Sequence, residues 1–101
     1  MKNIISGLNK LFESRVRLGV MSILVVNDRI DFITLKDMLE VTDGNLASHL
    51  SALEKNKFIE VSKQFIGRKP NTTYKATELG KESFRQHLDF LEKLIKNQDK
   101  P

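Results

Sequence analysis

The chain has no cysteine among its 101 residues, which excludes disulfides and thiolate metal sites and suits a reducing cytoplasm. Its two histidines, His49 and His87, stand at no metal-ligand spacing from an acidic residue, so no metal centre is expected. Long apolar runs are missing as well. The longest, residues 18–26, is interrupted by Gly19 and Ser22 and falls well short of the roughly 20 residues that cross a bilayer. The first ten residues carry no sustained apolar segment followed by a small-residue cleavage site, so no export signal is expected. No Gly-x-Ser-x-Gly elbow, phosphate-binding glycine loop or paired-carboxylate arrangement accompanies the serines, and the chain does not read as an enzyme. Without internal repeat, low-complexity tract or linker, the length suits one domain over 1–98 with a disordered tail at 99–101.

Negative charge is missing from one region in particular. Lys and Arg outnumber Asp and Glu by 17 to 13, a net charge of +4, and between 61 and 77 stand Lys63, Arg68, Lys69 and Lys75 with no acidic residue at all. Concentrated positive charge suits an acidic partner.

What the sequence does hold is centred on residues 42–57. At about 100° per residue, Leu46, Leu50 and Leu53 form one apolar stripe of a helix, with Ala47 and His49 at its margins. Gly44, Ser48, Ser51 and Lys55 fall on the opposite side, flanked by Asn45 and Ala52. A side of such short reach lets a large partner approach, and a groove of duplex DNA is such a partner. For an isolated helix the plainer alternative is a solvated face, so the neighbouring segments decide.

Residues 1–13 carry Ile4, Ile5, Leu8, Leu11 and Phe12 at helical spacing, an apolar stripe that the body of the domain or a second chain must cover. Ser14 is placed to cap a second helix, 15–27, whose apolar residues surround its axis and predict a central buried element. Residues 30–33 suggest a very short strand. Thr34 with Asp37 resembles a capping box for a helix over 35–40, with Leu35, Met38 and Leu39 inward. A three-residue turn, 41–43, leads into the helix over 42–57, and two helices so joined form a helix-turn-helix. After Lys57 the period changes to 2, with Phe58, Ile59, Val61 and Phe65 alternating against Glu60, Ser62 and Gln64. Residues 66–72 predict a hairpin loop punctuated by Gly67 and Pro70, 73–77 the returning strand, and Thr77 the cap of a last helix over 78–98. On that helix Phe84, Leu88, Leu91 and Ile95 share a stripe that His87, Phe90 and Leu94 widen.

Two segments, Thr42-Asp-Gly-Asn-Leu-Ala-Ser-His-Leu-Ser-Ala-Leu-Glu and Gly67-Arg-Lys-Pro-Asn-Thr-Thr-Tyr-Lys-Ala-Thr-Glu-Leu-Gly80, look like the recognition helix and wing of small winged helix-turn-helix regulators. The whole order of elements resembles the multiple-antibiotic-resistance regulator (MarR) superfamily, over about residues 11–94. The resemblance implies a mainly α fold with a small β-hairpin (α+β), extra terminal helices used for dimerisation, and a cytoplasmic transcription regulator that binds double-stranded DNA as a homodimer at an inverted repeat. Carried over position by position, the DNA-binding residues are Thr42, Gly44, Asn45, Ser48, His49, Ser51 and Lys55 on the helix and Arg68, Lys69, Asn71 and Thr72 on the wing. The helix has no Arg or Gln on its outer side, so Asn45 alone offers the bidentate reading of adenine, and modest discrimination per half-site is expected. The dimer interface is expected at Ile4, Ile5, Leu8, Leu11, His87, Phe90 and Leu94. No cofactor is implied, and a small effector, if any, has room only at that interface or between core and wing. A competing reading is a protein-interaction module that works through the apolar terminal helices and carries an incidental basic wing.

Overall fold

Ser14 starts the first full helix as its position predicts. In the computed structural model, which describes residues 5–97, its hydroxyl accepts from the Arg17 amide at 3.3 Å and opens α1 (Arg15–Leu24). The helix stops three residues before the expected end, at a point where the Asn27 side chain donates to the Ile23 carbonyl at 2.8 Å. Such a local bond competes with helical continuation. The helix is not buried all round: Val16, Val20, Met21 and Leu24 face inward, and Val26, beyond its end, is 77% exposed.

The amino-terminal segment differs more. Ile4 lies outside the described residues, 5–7 form a turn, and only Lys10–Glu13 is helical, as a 3-10 turn capped by the Asn9 side chain, which accepts from the Leu11 amide at 2.9 Å. That turn drives Phe12 into the core, where its ring meets Phe58 and stands edge-on to Phe84 at 5.5 Å and to His87 at 5.1 Å. The body of the domain is therefore one receiver of the amino-terminal stripe.

The strand expected over 30–33 shrinks to β1 (Ile30–Asp31), because Asp31 rather than Thr34 caps α2 (Phe32–Leu39). Its carboxylate accepts from the Thr34 amide at 2.9 Å, and these bonds to Thr34 hold its pKa below the ordinary value. Leu35 is fully buried and Leu39 packs against the core, as expected, but Met38, also expected inward, is mostly exposed. Glu40 then takes a left-handed conformation (φ 52°), ending α2 before α3 (Asp43–Lys55).

Thr42 caps α3 by accepting from the Asn45 amide at 3.2 Å. At the other end the Phe58 amide donates to Leu53 and the Lys57 amide to Glu54, the paired bonds of a Schellman ending with Lys57 at φ 63°. This sharp exit delivers the chain into β2 (Ile59–Ile66), which pairs antiparallel with β3 (Lys69–Ala76). The sheet order is β1-β3-β2, with β1 reaching only Thr73 and Tyr74. Beyond those residues the hairpin is a free two-stranded ribbon.

The expected seven-residue loop is a two-residue turn, Gly67–Arg68, with ladder pairing continuing to Ile66 opposite Lys69. Gly67 has φ +64°, the requirement at the first central position of a tight hairpin turn whose twist matches its strands. Pro70, a loop signal in the sequence, sits in β3 opposite Phe65, on the part of the strand that β1 does not reach. There its missing amide costs no sheet bond. Thr77 accepts from the Gly80 amide at 2.9 Å and starts α4 (Glu78–Asn97). The tail expected at 99–101 lies outside the described residues.

Candidate nucleic-acid interface

One side of α3 is fixed by the core. Leu46, Leu50 and Leu53 are 0%, 3% and 0% exposed and lie in one cluster with α1, α2 and the foot of the hairpin. With three leucines locked, the other side must face out, and Gly44, Asn45, Ser48, Ser51 and Lys55 are all exposed. A Cβ added at Gly44 would meet nothing within 4 Å, so no packing inside the chain requires a glycine there. Thr42 is exposed too, although its hydroxyl is committed to the cap.

His49 has a different setting from its neighbours. It is half-buried, and its Nδ1 lies 2.9 Å from Nη1 of Arg17. A guanidinium only donates, so this ring nitrogen accepts and the proton sits on Nε2. Burial, and secondarily the Arg17 charge, hold the His49 pKa below 6.5. Arg17 also donates from Nε to the Leu11 carbonyl at 2.6 Å, tying the amino-terminal turn, α1 and α3 together. Sequence reasoning missed Arg17, because nothing in spacing marks a pair 32 residues apart.

Lys36 was missed as well. Its ammonium lies 2.8 Å from the Asp43 carboxylate, and that contact raises the Lys36 pKa. The pair joins α2 to the first turn of α3 and offsets an acidic charge beside the outward face. Its contribution to stability is small, as for exposed pairs in general, but it removes a repulsion from any polyanion.

On the wing, Lys63, Arg68 and Lys69 are exposed, and among the described residues none has an acidic partner within 4 Å. Lys75 does have a neighbour, Asp28 at 4.0 Å, and Arg29 donates to the Thr73 hydroxyl at 3.2 Å. Free positive charge thus gathers toward the tip rather than over all of 61–77. Lys69, Asn71 and Thr72 lie on β3, not in a loop, and Asn71 and Thr72 are half-buried.

The residues expected at a dimer interface are divided. His87 is turned into its own chain, 6% exposed, with Nδ1 accepting from the Asn9 amide at 3.1 Å. This corrects its placement on an outer face. Leu11 packs against the core, and Phe90 lies over Gly7, where an added Cβ would fall 2.4 Å from its ring. Leu8 and Leu94 are half-buried and Ile5 is exposed. Sequence reasoning overlooked how much of the α4 arc is covered by residues 7–12, since it treated both segments as one excess. Farther out, Leu88 and Ile95 remain 46% and 73% exposed.

No group of three or more His, Asp or Glu among the described residues is placed to hold a metal ion, and no helix among them is long and apolar enough to cross a membrane. A groove of about 220 Å³ lined by Arg15, Val16, Leu39 and Val41 opens between α1 and the end of α2, smaller than the roughly 300 Å³ at which small-molecule sites begin.

Comparison with known proteins agrees with this architecture. Residues 16–95 match the family described as winged helix DNA-binding domain. An uncharacterised protein of Methanocaldococcus jannaschii is 35% identical over 88 residues, covering 87% of this chain and 96% of the relative. Among solved structures, a transcriptional regulator homologue from Pyrococcus horikoshii superposes with TM-score 0.76 at 29% identity, over 90% of this chain and 95% of its own. The YusO protein of Bacillus subtilis shares the fold with TM-score 0.78 at 15% identity, over 92% of this chain and 65% of its own.

Proposed function

Because the chain belongs to the winged helix DNA-binding domain family, we propose that it is a cytoplasmic, sequence-specific transcription regulator that acts as a homodimer. In this reading α3 enters the major groove with Asn45, Ser48 and Ser51 toward base edges and phosphates, and the wing holds the backbone through Arg68 and Lys69. The observation that carries it is the division of α3: one side is locked by three buried leucines, and the other is bare and short in reach. A helix so held offers its outer side in one fixed orientation, as a groove requires. Asn45 reads adenine, and the absence of Arg or Gln beside it leaves affinity largely to the backbone.

Exposed Leu88 and Ile95 on α4, seven residues apart and so on one side of the helix, support a two-fold dimer in which the distal parts of α4 pack together. Its two α3 helices then meet half-sites of an inverted repeat about one DNA turn apart. Selection of bound fragments from random duplexes at two salt concentrations tests the reading. It is expected to return paired half-sites, with log affinity falling against log salt. Arg68→Ala with Lys69→Ala is expected to weaken binding to every sequence and to lower the slope by about 1.8, from 0.9 per phosphate contact. An unchanged slope removes the wing from the interface, and a monomer by light scattering at micromolar concentration overturns the dimer.

A further inference from the structure

The wing ends in apolar residues that its own chain leaves bare. Phe65 is 75% exposed and Ile66 67%, on the last two rungs of the ladder, opposite Pro70 and Lys69. Alternation puts Phe65 and Pro70 together on one face of the ribbon and Ile66 on the other. Single exposed apolar residues are ordinary, but here two large ones and a proline occupy the tip of a projecting ribbon. Everything charged around them is cationic: Lys63 two residues before Phe65, then Arg68 and Lys69. Past the rung of Lys63 and Thr72, three rungs and the turn project about 10 Å at roughly 3.3 Å per residue. The minor groove of duplex DNA is about 7.5 Å deep. A partner that suits this tip must be anionic at its rim and apolar within reach of it, and a duplex offers phosphates at the groove edge with sugar walls and base-pair steps inside.

We propose that Phe65, backed by Pro70, is a wedge that enters the minor groove beside the segment met by α3 and leans between base pairs, with Ile66 against the sugar wall and Arg68 and Lys69 on the flanking phosphates. The proposal rests on the duplex-binding reading above. It adds a source of specificity that α3 lacks, because a wedge favours sequences with a pyrimidine–purine step under the wing, where unstacking is cheapest.

The test uses a selected duplex carrying 2-aminopurine at the step under the wing. Wild-type protein is expected to raise its fluorescence severalfold by unstacking it. Phe65→Ala is expected to abolish that rise and weaken binding about tenfold with the salt slope unchanged. Arg68→Ala with Lys69→Ala is expected to do the reverse, lowering the slope while the rise persists at saturating protein. Because the Phe65 side chain is exposed, an unchanged urea midpoint confirms that Phe65→Ala is folded. The wedge is overturned if Phe65→Ala binds within twofold of wild type with the same fluorescence rise. It is also overturned if that variant turns a wild-type dimer into a monomer, which places Phe65 between subunits. Failure of the wild type to bind any selected duplex instead removes the reading on which the wedge depends.

Discussion

The foot and the tip of the β2–β3 hairpin are built alike and treated differently. At the foot Ile59 and Tyr74 are 2% and 8% exposed, while farther along the same strand Phe65 is 75% exposed. Both ends alternate with period 2 and both carry apolar residues toward the same face. Only the foot has α1, α3 and α4 to cover it. An apolar pattern therefore states what a segment can bury, and the position of the body decides what it does bury. If the comparison is sound, Ile59→Ala lowers the free energy of unfolding by about 2–4 kcal/mol, through lost transfer energy and a cavity. Phe65→Ala lowers it by less than about 0.5 kcal/mol. Urea denaturation of the two variants measures both, and equal losses would mean that the tip is covered in solution.

Two glycines sharpen the same contrast. A Cβ at Gly80 would fall 2.1 Å from the Phe58 carbonyl oxygen, whereas one at Gly44 meets nothing within 4 Å. Backbone cannot yield as a flexible side-chain end can, so Gly80→Ala is expected to cost about 1–3 kcal/mol as α4 is pushed off the foot of the hairpin. Gly44→Ala is expected to stabilise α3 by about 0.5–1 kcal/mol. Under the duplex-binding reading the same change weakens DNA binding, because the added methyl stands where the groove approaches. Denaturation and binding isotherms of one variant thus separate its effects on fold and function, and loss of stability in Gly44→Ala would contradict the bare site.

Much of this division was legible in the sequence. The Leu46, Leu50 and Leu53 stripe, the caps at Ser14 and Thr77, and the change to period 2 after Lys57 all depend on neighbours within a few residues, and all appear where expected. The departures have long-range or competing causes. Asp31 outbid Thr34 for the α2 cap, since both are capping residues and only the pairing of β1 with β3 favours the earlier start. Gly67 and Pro70 both signal turns and so predict a long loop in the wing, whereas a proline is tolerated where the neighbouring strand stops short. In the candidate site, the exposed face of α3 followed from its stripe, but the Arg17 contact to His49 and the cover of His87 by residues 9–12 depend on contacts across the fold. Periodicity says nothing of those.

The two histidines give the smallest effect and test the cover itself. Both titrate below 6.5, His87 through burial and His49 through burial and then the Arg17 charge. In each ring Nδ1 accepts a hydrogen bond, from the Asn9 amide or from Arg17, and protonation there would break it. The unfolded chain thus takes up protons near 6.5 that the native protein refuses, so stability is full above that pH and falls as pH drops through it. For each ring the slope is at most about 1.4 kcal/mol per pH unit. Urea midpoints at pH 7 and 5 should differ, and His87→Asn, whose Oδ1 stands where Nδ1 stood and can still accept from the Asn9 amide, should narrow the difference. Arg17→Met should raise the His49 titration followed by ring-proton NMR, because the guanidinium charge that opposes protonation of that ring is removed. A wild-type His87 that titrates at or above 6.5 would mean that Phe12 and the amino-terminal turn do not cover it.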